Sequence, residues 1–129
     1  MTKTRKFHKE YWKELLAIAT QDLETARLLI PTNLKRKENI LFHIEQAIEK
    51  SLKAGLCKLE IAVPLVHELS LLVDKFPQGK EPPFAGSISD LSQFATIRRY
   101  EEGKANLTKE EIAEAYQIAE AILDWVEKV

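Results

Sequence analysis

Three polar residues in the stretch FHIEQAIEKSLKAGL, residues 42–56, line one ridge of a helix: His43, Gln46 and Lys50. An imidazole, an amide and an ammonium in a row can donate hydrogen bonds to a phosphate or to a partner chain. Ala47, Ser51, Ala54 and Cys57 lie alongside. They are too small to hold a second helix at a distance. Two readings of this face stand side by side. One is an ordinary solvated face; the other is a packed polar interface, for which a two-fold dimer is the simplest form. A second cluster is Arg98, Arg99 and Tyr100. Two guanidiniums beside an aromatic ring can hold a phosphate and stack a base. The competing reading is that they serve helix-terminal carbonyls or surface carboxylates.

The other reactive residue types point away from catalysis. The three histidines are His8, His43 and His67, and none forms the i, i+4 pair with a flanking Glu of a helical zinc site. His8 is expected to be solvated. His67 is expected in the first turn of a helix, in a structural hydrogen bond. Carboxylates are scattered, with no pair placed as general acid and base. Gly79 and Gly86 are too far apart, with prolines between them, to cradle a phosphate. Cys57 is the single cysteine, which excludes an internal disulfide and a zinc cluster. It is expected to be a small, partly buried residue. No catalytic residue, metal or cofactor is expected.

Five helices are needed to place these groups. The first is expected from about Lys9 to Ile30, where Trp12, Leu15, Leu16, Ala19, Leu23 and Ala26 repeat at steps of three and four and Pro31 stops it. The second runs from about Lys37 to Leu59, with Leu41, Ile44, Ile48, Leu52, Gly55 and Leu59 on its core side. Pro64 is expected in the first turn of a third helix that ends near Phe76. Residues 77–86, PQGKEPPFAG, hold three prolines and two glycines and read as a loop. A short fourth helix follows, capped by Ser87 or Ser89, with Ile88, Leu91, Phe94 and Ala95 inward. It yields near Arg98 and Arg99 to a second loop. Thr108 and Glu111 form a capping box for the fifth helix, with Leu107 stapled to Ile112. No strand pattern competes. The expected fold is all-α: an up-and-down four-helix bundle with an additional short helix, in a single domain over residues 1–129.

Composition narrows the class further. The chain has 129 residues, 45% hydrophobic and 30% charged, which suits one soluble core. Its formal charge of −1, from 19 basic and 20 acidic residues, argues against a strongly basic nucleic-acid binder and leaves room for a local basic patch. The opening MTKTRKFHKEYWK lacks the apolar core of a signal peptide, and no apolar run approaches a membrane span. A cytoplasmic location is expected.

The motifs in order resemble a known family. Phe42-His43-x-x-Gln46-Ala47-x-Glu49-Lys50-x-Leu52-Lys53-Ala54 looks like the second-helix signature of HEPN domains, the higher eukaryotes and prokaryotes nucleotide-binding domains. Pro64-x-x-His67-x-Leu69 resembles their next motif, and Arg99-Tyr100 their Arg-Tyr-Pro motif. Trp12 to Leu29, with Asp22-Leu23, resembles the opening helix, and Ala119 to Val126 the closing one. The resemblance implies a helical bundle that dimerises and pairs with a small nucleotidyltransferase, in a toxin–antitoxin or defence module. Some members are metal-independent ribonucleases, marked by an Arg followed four to six residues later by a His near the end of the domain. Here no histidine follows Arg98 and Arg99, Arg36 and His43 match only in spacing, and Glu101 replaces the family's proline. The chain therefore resembles the branch without the ribonuclease motif.

That branch implies a binding module. A homodimer would partner a nucleotidyltransferase and hold a nucleotide or RNA near Arg98, Arg99, Tyr100 and the His43–Gln46–Lys50 face. The alternative is a ribonuclease toxin with His43 or His67 as base and Arg98 or Arg99 as phosphate cation. A third reading is a dimeric interaction protein with no ligand.

Overall fold

A computed structural model describes residues 2–32, 34–91 and 107–129. The chain opens with a two-residue strand, β1, Thr4–Arg5, and a 3-10 turn, Lys9–Tyr11, before α1, Trp12–Leu29. Then come α2, Glu38–Lys58; β2, Val63–Pro64; and α3, Leu69–Val73. A helical segment over 85–91, α4, precedes α5, Lys109–Lys128.

The core is organised around α2. Thirteen of its 21 residues are buried, so it is enclosed on most of its circumference and acts as the central helix. It runs antiparallel to α1: Cys57 reaches the His8 carbonyl at one end, and Lys50 reaches Asp22 further along. It runs parallel to α5, with Gly55 against Trp125 and Lys58 at the carbonyls of Val126 and Glu127. The chain returns between α2 and α5 through α3, a loop and α4. The architecture is the expected all-α bundle, with one leg broken into short pieces.

Two local devices lock the long helices. Lys58 Nζ donates to the carbonyls of Val126 and Glu127, both at 2.8 Å, and sits 4.5 Å from the centre of the Trp12 ring. One cation thus closes the C-terminus of α5 and ties it to α1 and α2. At the start of α5 the capping box is present, with Glu111 N donating to Thr108 Oγ1 at 3.1 Å and Thr108 N to Glu111 Oε1 at 2.9 Å. Leu107 and Ile112 are both buried there. Gly55 is needed for close approach, because a Cβ would stand 3.1 Å from Trp125 and 3.2 Å from Phe76.

The third helix departs from expectation. Pro64 does not open it; Val63–Pro64 pairs antiparallel with Thr4–Arg5 instead. Proline pushes the residue before it to extended backbone, and β-branched Val63 already favours that region. Extended backbone persists to Glu68, and α3 covers only five residues. Leu65, the residue after Pro64, is 51% exposed. The fourth helix also starts earlier than expected, at residue 85, so Ser87 and Ser89 lie inside it; Ser89 Oγ donates to the Ala85 carbonyl at 3.4 Å. Phe94 and Ala95 lie outside the described residues. The Lys9 end of α1 is a 3-10 turn capped by His8 Nδ1, which accepts from Glu10 N at 3.3 Å. Among the described residues no helix is long and apolar enough to cross a membrane.

Candidate functional site

Between Ile40 and Cys57, five residues of α2 are not buried: Phe42, His43, Gln46, Lys50 and Lys53. They form one strip along an otherwise enclosed helix. Hydrophobic patterning makes this strip, because every position around it is apolar, small or paired. The predicted His43–Gln46–Lys50 ridge is one side of it.

The polar groups of the ridge are engaged within the chain. Lys50 Nζ donates to Gln46 Oε1 at 2.9 Å and to Asp22 Oδ2 of α1 at 3.2 Å. Both members of the ion pair are about a quarter exposed, 26% for Lys50 and 25% for Asp22. His43 is half-buried, and its ring meets Phe42 edge-on with centroids 5.5 Å apart. Phe42 is 41% exposed.

The small residues beside the ridge have a different use from the one their size suggested. Ala47, Ser51 and Ala54 are fully buried where the chain's own helices close on α2. Beside them α1 is held at Lys50–Asp22, and the turn before α1 at Cys57, whose thiol donates to the carbonyls of His8 at 3.3 Å and Lys9 at 3.5 Å. A second copy therefore has the outer strip available to it, and not these small residues. Ser51 Oγ is buried without a hydrogen-bond partner among the described residues. Burial pushes the Cys57 thiol up from its ordinary value.

A second polar group, not anticipated from the sequence, centres on Glu49. Its side chain is only 6% exposed, and its carboxylate accepts from Lys53 Nζ at 3.1 Å. It also meets His67 Nδ1 at 3.1 and 3.2 Å. An ionised carboxylate takes a proton donor, so Nδ1–H points to Glu49 and Nε2 is left as the acceptor. The His67 side chain is 88% exposed. His67 lies in the extended stretch before α3, not in a helical first turn. The i, i+4 pairing of Glu49 with Lys53 is visible in sequence; the meeting of Glu49 with His67 depends on the extended stretch that follows β2. Glu45, one turn earlier, is buried too.

Arg98, Arg99 and Tyr100 lie outside the described residues. Among the described residues, no three of His, Cys, Asp and Glu come together as a metal site would require.

No curated protein matches the chain significantly. The crystal structure of TT1696 from Thermus thermophilus shares the fold: TM-score 0.74, 22% identity, covering 92% of this chain and 97% of that one. The HEPN domain family model matches residues 12–129, from the first residue of α1 to the last of the chain. With that match over nearly the whole chain, the chain belongs to the HEPN domain family, a module of nucleotide-binding or ribonuclease type.

Proposed function

We propose that this chain is a non-catalytic interaction module. It pairs with a second copy and with a nucleotidyltransferase of toxin–antitoxin or defence type, and the outer strip of α2 is its recognition face. The observation that carries this is the strip itself: an aromatic ring, an imidazole, an amide and two lysines are what the central helix leaves unburied between Ile40 and Cys57. Asp22 and Glu49 hold the two ammonium groups in fixed positions, so little side-chain entropy is lost when a partner binds. The same carboxylates neutralise the lysines. The strip therefore suits a hydrogen-bonding protein surface better than a polyphosphate, and a nucleotide falls to the Arg98–Arg99–Tyr100 segment. Co-expression with a small nucleotidyltransferase of that type, followed by affinity capture, tests the pairing. Capture lost on Gln46→Arg with an unchanged melting curve supports it; equal capture by that variant refutes it. Calorimetric titration with ATP tests the nucleotide, and absence of heat at millimolar concentration removes it.

One observation favours the ribonuclease alternative. Glu49 orients His67 through Nδ1 and leaves Nε2 toward solvent, as a general base requires. In that reading Nε2 takes the ribose 2′-hydroxyl proton, the 2′-oxygen attacks phosphorus, and the 5′-oxygen leaves. Lys53, on the same carboxylate, is a cation for the phosphate. Incubation of pure protein with total RNA decides: cleavage abolished by His67→Ala establishes this reading, and intact RNA dismisses it.

A further inference from the structure

The N-terminal arm differs in charge from the rest of the chain. Residues 2–13 hold five basic residues, Lys3, Arg5, Lys6, Lys9 and Lys13, against one carboxylate, Glu10. Elsewhere the chain has 14 basic and 19 acidic residues. All five cations are exposed. Glu10 is used by Lys13, at 2.8 Å. Among the described residues, Lys3, Arg5, Lys6 and Lys9 make no ion pair.

This arm is fixed to the bundle. Thr4 and Arg5 pair with Pro64 and Val63, and Leu65 N donates to the Lys3 carbonyl at 2.8 Å. Beneath it the Cys57 thiol holds the His8 and Lys9 carbonyls. Cations on a free tail would lose entropy on binding; these stand on backbone already ordered. Aromatic rings are interleaved with them. The Arg5 guanidinium lies 4.8 Å from the centre of the Phe7 ring, and Phe7 stacks on Tyr11 with centroids 4.9 Å apart and planes 10° apart. Tyr11 is 37% exposed.

We propose that this strapped arm is a docking surface for single-stranded RNA. Four cations without carboxylate partners select a polyanion. A ladder of guanidinium and aromatic rings offers stacking to unpaired bases, which a duplex keeps inside. An anionic lipid surface would match the charge alone; here the rings lie against one another instead of standing out as an apolar wedge. The proposal does not depend on the α2 strip, and its test is separate from the tests of partner binding.

The test is fluorescence anisotropy of a labelled oligouridylate of about 12 nucleotides, a length within the range of single-strand sites, with the full chain across a salt series. Four phosphate contacts predict a slope of log K against log salt of about −3, at about −0.7 per contact. Lys3→Glu, Lys6→Glu and Lys9→Glu combined should weaken binding at least roughly tenfold and bring the slope to about −1, with an unchanged melting curve. Lys75→Glu and Lys80→Glu combined, exposed charge reversals away from the arm, should bind the oligonucleotide as wild type does. Equal binding by the triple variant overturns the proposal. So does a wild-type slope near zero, and so does binding to phosphatidylserine vesicles without binding to the oligonucleotide.

Discussion

Replacing Lys58 by Met keeps the stem of the side chain and removes only the ammonium. That group makes two 2.8 Å hydrogen bonds to the last carbonyls of α5 and stands over Trp12. The ring contact is worth about 0.5–1 kcal/mol. A cation at a helix C-terminus contributes about 0.3–1 kcal/mol. Hydrogen bonds to a charged group bring about 1.5–3 kcal/mol, reduced here because water can reach carbonyls in a final turn. The three effects overlap, so Lys58→Met should cost about 2–3 kcal/mol. For a chain of this size that lowers Tm by about 6–12 °C. Urea unfolding followed by circular dichroism reads the loss directly. A double-mutant cycle with Trp12→Leu isolates the ring contact, which should show a coupling of about 0.5–1 kcal/mol. A loss below about 0.5 kcal/mol would mean that water serves the α5 carbonyls as well as Lys58 does, and would refute the reasoning.

Three further outcomes follow from single sites. Glu49→Gln leaves Lys53 and His67 without their carboxylate and should cost about 1–3 kcal/mol in urea unfolding, less than a fully buried pair because both partners reach solvent. Glu60 occupies a left-handed position, φ 61°, at the end of α2, where Glu60 N and Ile61 N bond back to the carbonyls of Cys57 and Leu56. Glycine is the residue for that position, so Glu60→Gly should stabilise by about 1 kcal/mol, read as a rise in Tm. Cys57 has its thiol pushed up by burial. Below about pH 8.5, the ordinary thiol value, both folded and unfolded chains keep the proton and stability is unaffected. Above it the unfolded chain ionises first, so stability falls with rising pH until the folded thiol ionises too. Native protein at pH 8 should also react with iodoacetamide at least roughly a hundredfold more slowly than in denaturant.

Much of the fold is legible in the sequence because its long helices carry local signals. The Thr108–Glu111 box and the apolar repeats of α1, α2 and α5 each act within one or two turns. The failures are tertiary. Pro64 reads locally as a helix start, and pairing with Thr4–Arg5 makes it a strand residue instead. Ala47, Ser51 and Ala54 read as a close-approach surface for a second copy, but only the fold says that the chain itself buries them. Gln46 and Lys50 are legible as a ridge, whereas Asp22 as their partner requires the antiparallel crossing of α1. Glu49 looks like a solvated charge from its neighbours, and its partner His67 comes from a segment 18 residues away.

Sedimentation velocity on wild type and on a Phe42→Asp variant tests the central claim most directly. Wild type should sediment as a dimer at micromolar concentration. The variant, which changes one exposed position of the α2 strip, should sediment as a monomer with its helical signal intact. A wild-type monomer, or a variant dimer as tight as wild type, would contradict the assignment of that strip as the recognition face.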